Sequence, residues 1–338
     1  MSKIKTLQLM AIMLTILLMW LAQNHLDDYS LRILTTIAIF IILATSYNLI
    51  NGITGQLSLE PNGFVAVGAY VTALLLISSD AKLDMYQLAE PSPWLLLLNT
   101  TLVPALFFSG VVSAILAFIL AFPVFRVRGD YLAIVTLGFG FIIRVFAVNT
   151  PAVTNGAIGL NDIPSSVNLY WAGAFAMATV LIMLNIIYSK YGRGMKAVRD
   201  DEDAASAMGV NTFKIKTYAF MTSAFFEGVG GGLLAVFLTT ISPDIFTFFL
   251  TFQLIIIIVL GGLGSMTGTI IGAFLVIGGG EWLRVLDEEV NFLGLHIDAH
   301  PGMRMVVFSV ILIVVMIFAR EGIMGKRELT DLFRRVKK

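Results

Sequence analysis

The sequence has no cysteine at all. Disulfides, thiolate metal sites and a cysteine nucleophile are therefore excluded. Charge is scarce as well: Asp, Glu, Lys and Arg make up 13% of the 338 residues, against about 25% in ordinary soluble domains. The 22 basic and 22 acidic side chains cancel, so no electrostatic footprint of a nucleic-acid partner exists. No GxxxxGK[ST] run occurs, so the chain has no phosphate-binding loop of its own and any ATP must be handled by another subunit. Alternating ten-residue strands are missing too, which removes a membrane β-barrel. Histidine is limited to His25, His296 and His300. The last two stand at i, i+4 around Asp298, a spacing that reads as an outer surface loop rather than a metal site.

What is abundant is apolar: 58% of the residues, in runs that reach the roughly 18 residues needed to cross a hydrocarbon core of about 30 Å. The fold class expected is an all-α polytopic membrane protein, because only helices or closed barrels satisfy the backbone in lipid. Ten spans are predicted, at 7–22, 33–50, 62–78, 95–123, 131–147, 169–188, 217–240, 247–262, 266–283 and 303–319. Within the fourth, Trp94–Asn99 reads as a separate interfacial turn. The opening MSKIK and its apolar run read as a retained first span, since no small-x-small cleavage site follows.

Ten crossings put both termini on one side. That side would carry Lys3, Lys5, Arg126, Arg128, six bases of the loop at 189–216 and seven bases of the tail; the other would carry Arg32, Lys82 and Arg284. The asymmetry predicts cytoplasmic termini. Trp20, Trp94, Trp171 and Trp282 then all fall at outer span ends, where indole rings prefer to sit. The chain divides into a first span and outer loop (1–32), a transmembrane domain (33–325) and a basic tail (326–338).

Two stretches interrupt the spans. One is GITGQLSLEPNGFVAVGAY, from Gly52 to Tyr70; the other is GGLGSMTGTIIGAF, from Gly261 to Phe274. Paired Gly- or Pro-broken segments line substrate paths in transporters, while glycines alone also serve close helix packing. The polar set Gln56, Ser58, Glu60 and Asn62 favours a polar cavity, since unpartnered polar groups in hydrocarbon are costly. Gly55, Tyr70, Gly262, Gly264 and Ser265 complete the candidate path, with Thr251 and Gln253 as secondary candidates. Glu227, in FFEGVGGG, and Arg144 are intramembrane charges; they read as a functional site or as a structural pair with each other.

The longest polar stretch inside the chain is YGRGMKAVRDDEDAASAMGVNTFKIKT, Tyr191–Thr217. Its part from Gly194 to Gly209 predicts a helix with Gly209 at the C′ position. Met195, Val198, Ala205 and Met208 share one broad apolar face, interrupted by Asp201 and Glu202. The small residues at 204–207 permit close docking of another protein. A solvated connector is the plainer reading of the same residues.

Asp203-Ala204-Ala205 followed by Gly209 resembles the EAA loop of ABC-importer permeases, with Asp in place of Glu. The wider stretch GRGMKAVRDDEDAASAMGVNTFKIKTYAF, together with TGQLSLEPNGFVAVGAY, RVRGDYLAIVTLGFGFIIR, ISPDIFTF, VLGGLGSMTGTIIGAF and REGIMG, resembles the branched-chain amino acid ABC transporter permease family, and more its M-type subunit than its H-type partner. The resemblance runs from about Asn48 to Gly325. Glu60-Pro61-Asn62 and Ala319-Arg320-Glu321 depart from the family's usual residues.

The resemblance implies a permease subunit of an ABC importer in the cell (inner or plasma) membrane. It would work by alternating access on branched-chain amino acids or a related small polar solute; urea or amides, sugars and a self-sufficient secondary carrier are the alternatives. The implied partners are a homologous second permease, two cytoplasmic ATPases that hold ATP and Mg, an extracytoplasmic solute-binding protein and membrane lipid. No catalytic residue and no cofactor are expected on the chain itself. The residues implied in ATPase coupling are Gly194, Lys196, Arg199, Asp203, Ala204, Ala205 and Gly209.

Overall fold

The computed structural model describes residues 2–126, 131–284, 290–292, 295–297, 303–319, 321–325 and 328. Arg128, Asp298, His300, Arg320 and all of the basic tail except Glu328 lie outside the described residues. Among the described residues the regular structure is helical apart from one short antiparallel hairpin. Its helices are α1 (Ser2–His25), α2 (Asp28–Asn48), α3 (Pro61–Leu76), α4 (Ser79–Met85), α5 (Pro93–Leu96), α6 (Leu102–Val124), α7 (Tyr131–Asn149) and α8 (Pro151–Thr154). Then come α9 (Leu169–Tyr188), α10 (Lys190–Asp200), α11 (Glu202–Ala207), α12 (Thr212–Leu238), α13 (Phe248–Gly261), α14 (Met266–Ala273), α15 (Gly279–Trp282) and α16 (Met303–Phe318). Two π turns extend α2 (Leu49–Ile53) and α14 (Phe274–Gly278). Strands β1 (Val290–Phe292) and β2 (Leu295–Ile297) pair with Asn291 opposite His296.

Each of the ten segments expected from hydropathy contains a helix. Among the described residues, five helical stretches are long and apolar enough to cross a membrane: Asp28–Ile53, α6, α7, α9 and α12. The pair α3–α4, bent by 116°, is a sixth candidate. The segment from Trp94 is indeed separate from the span after it: Pro93 starts the short α5, and Thr100 N–H then bonds the Leu75 carbonyl at 2.9 Å before α6 begins.

Lys82, counted among the outer-side bases, is wholly buried. Its Nζ donates to the carbonyls of Leu95 (2.9 Å) and Leu98 (2.7 Å), satisfying the C-terminal end of α5. Burial holds its amine below the usual lysine range.

Local sequence sets the helix starts. Pro61 occupies the first turn of α3, and Asn168, Asn211 and Ser265 cap α9, α12 and α14 with their side-chain oxygens. Helix α12 is the hub, packing on α2, α3 and α6. It is buried at most positions from Lys216 to Val236 because FFEGVGGG removes side chains where neighbours cross. A Cβ on Gly68 of α3 would overlap the Gly228 backbone, and one on Gly228 would overlap Ser113 of α6. Such close backbone approach is how small residues join helices in lipid, where the hydrophobic effect does not drive association.

Gly68→Leu or Gly228→Leu should therefore destabilise the protein by about 1–3 kcal/mol or more through overpacking. Gly138→Ala on α7, where a Cβ meets nothing within 4 Å, should leave stability unchanged or raised. Thermal unfolding of the detergent-solubilised protein distinguishes the two outcomes.

Candidate functional site

The polar central stretch folds as two helices rather than one. Asp201 breaks it: its backbone is extended (φ −161°, ψ 110°), and its Oδ1 accepts from Ala204 N–H at 2.9 Å, so it caps α11. The physical reason lies in the four acids Asp200–Asp203. They are unfavourable at the C-terminal end of one helix and favourable at the N-terminal end of the next. Ser189 caps α10 in the same way. At the far end Gly209 adopts φ +84°. Its N–H bonds the Ser206 carbonyl at 2.9 Å and the Val210 N–H bonds the Ala205 carbonyl at 3.0 Å, the pairing of a Schellman cap.

The faces of this element sort its residues. Met195, Val198 and Ala205 are buried against the chain itself, so Ala205 is a packing residue rather than an open contact. Asp203, Ala204, Ser206, Ala207 and Gly209 are exposed, and Met208 is 85% exposed. The apolar face expected to include Met208 therefore stops at Ala205, because the break at Asp201 re-aims the second helix. Gly194 abuts Ile215 of α12, and Lys196 lies over the Tyr188 ring at 5.9 Å. Lys216 of α12 binds Glu202 of α11 at 2.6 Å with its own side chain 5% exposed, which couples the pair of helices to the hub.

Arg199 reaches from α10 to both glycine-rich interruptions. Its side chain fills the place a Gly55 side chain would take, and its guanidinium comes within 3.5 Å of where a Cβ on Gly264 would sit. It also binds Asp200 at 2.9 Å. The two interruptions touch each other as well. A side chain on Gly52 would overlap the Gly264 backbone. Asn48 joins them, donating to the Ser265 carbonyl (3.1 Å) and Thr269 Oγ1 (2.8 Å) and accepting from Gly264 N–H (3.0 Å). The segment after α16 lies on the same turn. Ile323 and Met324 N–H bond the carbonyls of Leu260 and Gly261, Gly322 packs on Gly262, and the buried Glu328 carboxylate accepts from Met266 N–H (2.6 Å), Thr267 N–H (3.2 Å) and Thr267 Oγ1 (2.6 Å).

The polar residues of the first interruption divide. Asn62 meets Thr251: its N–H donates to Thr251 Oγ1 at 3.2 Å and its Nδ2 to the Phe246 carbonyl at 3.3 Å. The Ser58 carbonyl accepts from Tyr47 OH (2.6 Å), while Ser58 N–H donates to Asn51 Oδ1 (2.8 Å). The Ser58 hydroxyl, both Glu60 carboxylate oxygens and the Tyr70 hydroxyl are buried and make no hydrogen bond among the described residues. Tyr70 packs on the Phe246 ring, 6.1 Å between centroids. Gln56 and Gln253 are half-buried.

The intramembrane charges do not pair with each other. Arg144 binds Asp244, whereas Glu227 is wholly buried beside Ser223. The sequence offered no way to see this, since Asp244 lies in the loop after α12. Asn48 and Glu328 were missed too. Asn48 had a signal, a polar side chain near the end of a long apolar run; Glu328 had none, standing among tail bases. Among the described residues no cluster of three or more metal-ligating side chains occurs.

Residues 29–316 match the family described as "Branched-chain amino acid transport system / permease component". The chain is similar to the high-affinity branched-chain amino acid transport system permease protein LivM of Escherichia coli, 33% identical over 290 residues, which is 76% of this chain and 64% of that protein. It is similar at 23% over 304 residues to the corresponding LivH protein of Escherichia coli, covering 86% of this chain and 92% of that one. The guanosine ABC transporter permease protein NupQ of Bacillus subtilis is 26% identical over 205 residues, 56% of this chain and 61% of NupQ. The match thus spans just under two thirds of the length of LivM. No solved structure matches. With most of its length inside the family match and 33% identity to a LivM protein over three quarters of it, the chain belongs to the branched-chain amino acid transport system permease family.

Proposed function

We propose that the chain is a permease subunit of an ABC importer that carries branched-chain amino acids across the cell membrane by alternating access. Ten crossings with cytoplasmic termini suit the charge asymmetry, which gathers the bases of the 189–216 loop and of the tail on one side. A homologous second permease completes the pore. Two ATPases supply ATP and Mg chemistry from the cytoplasm, and a solute-binding protein delivers substrate from outside. Family membership and the greater identity to LivM than to LivH support this reading.

The observation that carries it is the α10–α11 element. Its outer face offers Asp203, Ala204, Ala207, Met208 and the Gly209 turn to a partner, and its inner face is fastened to the hub helix through Lys216–Glu202 and to both glycine-rich interruptions through Arg199. A rigid-body push on that face is delivered to α12 and to the turns at 52–60 and 262–265, the segments we assign to the inner end of the substrate path. Gly55, Gln56, Gly262, Gly264 and Ser265 sit at that end, with Asn62, Thr251 and Tyr70 deeper along it. Gln253 lines it in the same proposal.

Expression of the chain with its neighbouring genes should yield a detergent-stable complex containing two ATPase subunits, and vesicles holding the complex should take up a branched-chain amino acid only with ATP. Uptake by the purified chain alone would instead make it a self-sufficient carrier.

Met208→Asp should weaken ATPase association and lower uptake several-fold while leaving the thermal unfolding of the chain unchanged, because the side chain is exposed. Gly209→Val should do the same and also lower stability by about 1 kcal/mol or more, since a β-branched residue at positive φ is strained. Normal uptake by both variants would remove the docking assignment. Ala205→Arg is expected to unseat α11 from the membrane domain and so reports on folding, not on docking.

A further inference from the structure

Two carboxylates are buried inside the subunit, away from the exposed face of α10–α11. Glu60, at the start of α3, and Glu227, in the middle of α12, are both wholly buried. Both sit against the end of α2: Ser223, which contacts Glu227 at 3.0 Å, donates to the Ser46 carbonyl at 2.7 Å, and the buried Tyr47 hydroxyl donates at 2.6 Å to the carbonyl of Ser58, two residues before Glu60. Among the described residues no ion pair reaches either of them. Arg144 is engaged with Asp244, Arg199 with Asp200 and Lys216 with Glu202. Helices α6 and α13, and α3 beyond its cap, carry no charged residue, and α2 has its charges, Asp28 and Arg32, at the opposite end from Tyr47.

The hydrogen bonding is incomplete in a specific way. Glu60 Oε1, Glu60 Oε2 and Glu227 Oε2 have no donor among the described residues. Glu227 Oε1 lies 3.0 Å from Ser223 Oγ, but that hydroxyl is 2.7 Å from the Ser46 carbonyl oxygen. One hydroxyl proton cannot serve both acceptors, and the carbonyl accepts only. Both contacts are satisfied if Glu227 carries a carboxylic O–H that donates to Ser223 Oγ while Ser223 donates to Ser46. Two ionised carboxylates buried away from water would otherwise stand uncompensated, which costs far more than a proton.

We propose that Glu60 and Glu227 form a buried proton-binding site at the junction of α3, α12 and the end of α2. The site is independent of which solute the chain carries. Because α12 is also the helix fastened to the α10–α11 element, the packing of α12 on α3 and the occupancy of this site are linked: whatever shifts one shifts the other.

The test uses the full-length protein purified in detergent, with any partners that co-purify. Infrared spectra at neutral pH should show a carbonyl band of a protonated carboxyl group that is lost in the Glu60→Gln/Glu227→Gln double variant. Gln has the shape of the protonated acid, so this variant should keep the wild-type Tm at neutral pH. Where the native state holds more protons than the unfolded chain, stability falls as pH rises. The wild-type Tm should therefore fall toward alkaline pH, and the double variant should lose that fall. Absence of the band from the wild type overturns the proposal, and that measurement stands even if the variants fail to fold. A wild-type Tm raised by sodium chloride over choline chloride at equal ionic strength, with the effect absent from the double variant, overturns it in favour of an alkali-cation site.

Discussion

Lipid supplies no hydrogen bonds and no hydrophobic drive between helices, and this one constraint shapes α12 and everything around it. Contact must come from close packing, so the helix that touches most neighbours is the one that gives up its side chains. The glycines at 228 and 230–232 let α2, α3 and α6 approach its backbone directly. The same constraint acts on polar atoms. Asn48, Asn62, Thr251 and Ser265 are buried yet partnered, each bonding a residue distant in sequence, so the polar groups that enter the core also fix its tertiary register.

Two of the residues that depart from the family's usual pattern, Pro61 and Asn62, have structural roles in this chain. Pro61 sets the first turn of α3, and Asn62 fits against Gly140 of α7 while bonding Thr251 of α13. Glu60, the first residue of the same tripeptide, has no donor among the described residues. Three helices thus meet at one short sequence, which joins the membrane core to the turn beneath it.

Much of the fold could be read from residue order. Apolar run length marked ten segments that each contain a helix, and the separate turn at Trp94–Asn99 followed from the excess length of the fourth. The C′ role of Gly209 was legible because only a left-handed residue closes a helix in that way. What escaped was whatever depends on partners remote in sequence. The split at Asp201 turns on a competition between capping and helix continuation within four acids. Burial of Lys82 depends on two carbonyls of a helix formed later in the chain. Arg144 takes its partner from a loop a hundred residues away, and the charge pattern within the spans pointed to the wrong carboxylate. For the candidate site, the sequence separated a coupling loop from a substrate path, whereas the structure places Arg199 against both glycine-rich turns and makes them mechanically continuous.

The Glu328 clasp bears on how the molecule is built over time. The first amides of α14 are met by a carboxylate more than fifty residues further along the chain, beyond α16. During synthesis that helix emerges long before its cap, because elongation proceeds at only about 5–20 residues per second. The Met266 and Thr267 amides must rely on water or transient partners until residue 328 has left the ribosome, whereas the Gly268 amide has Ser265 at once. The turn that Arg199 and Asn48 organise is thus closed only once a residue beyond α16 has been made.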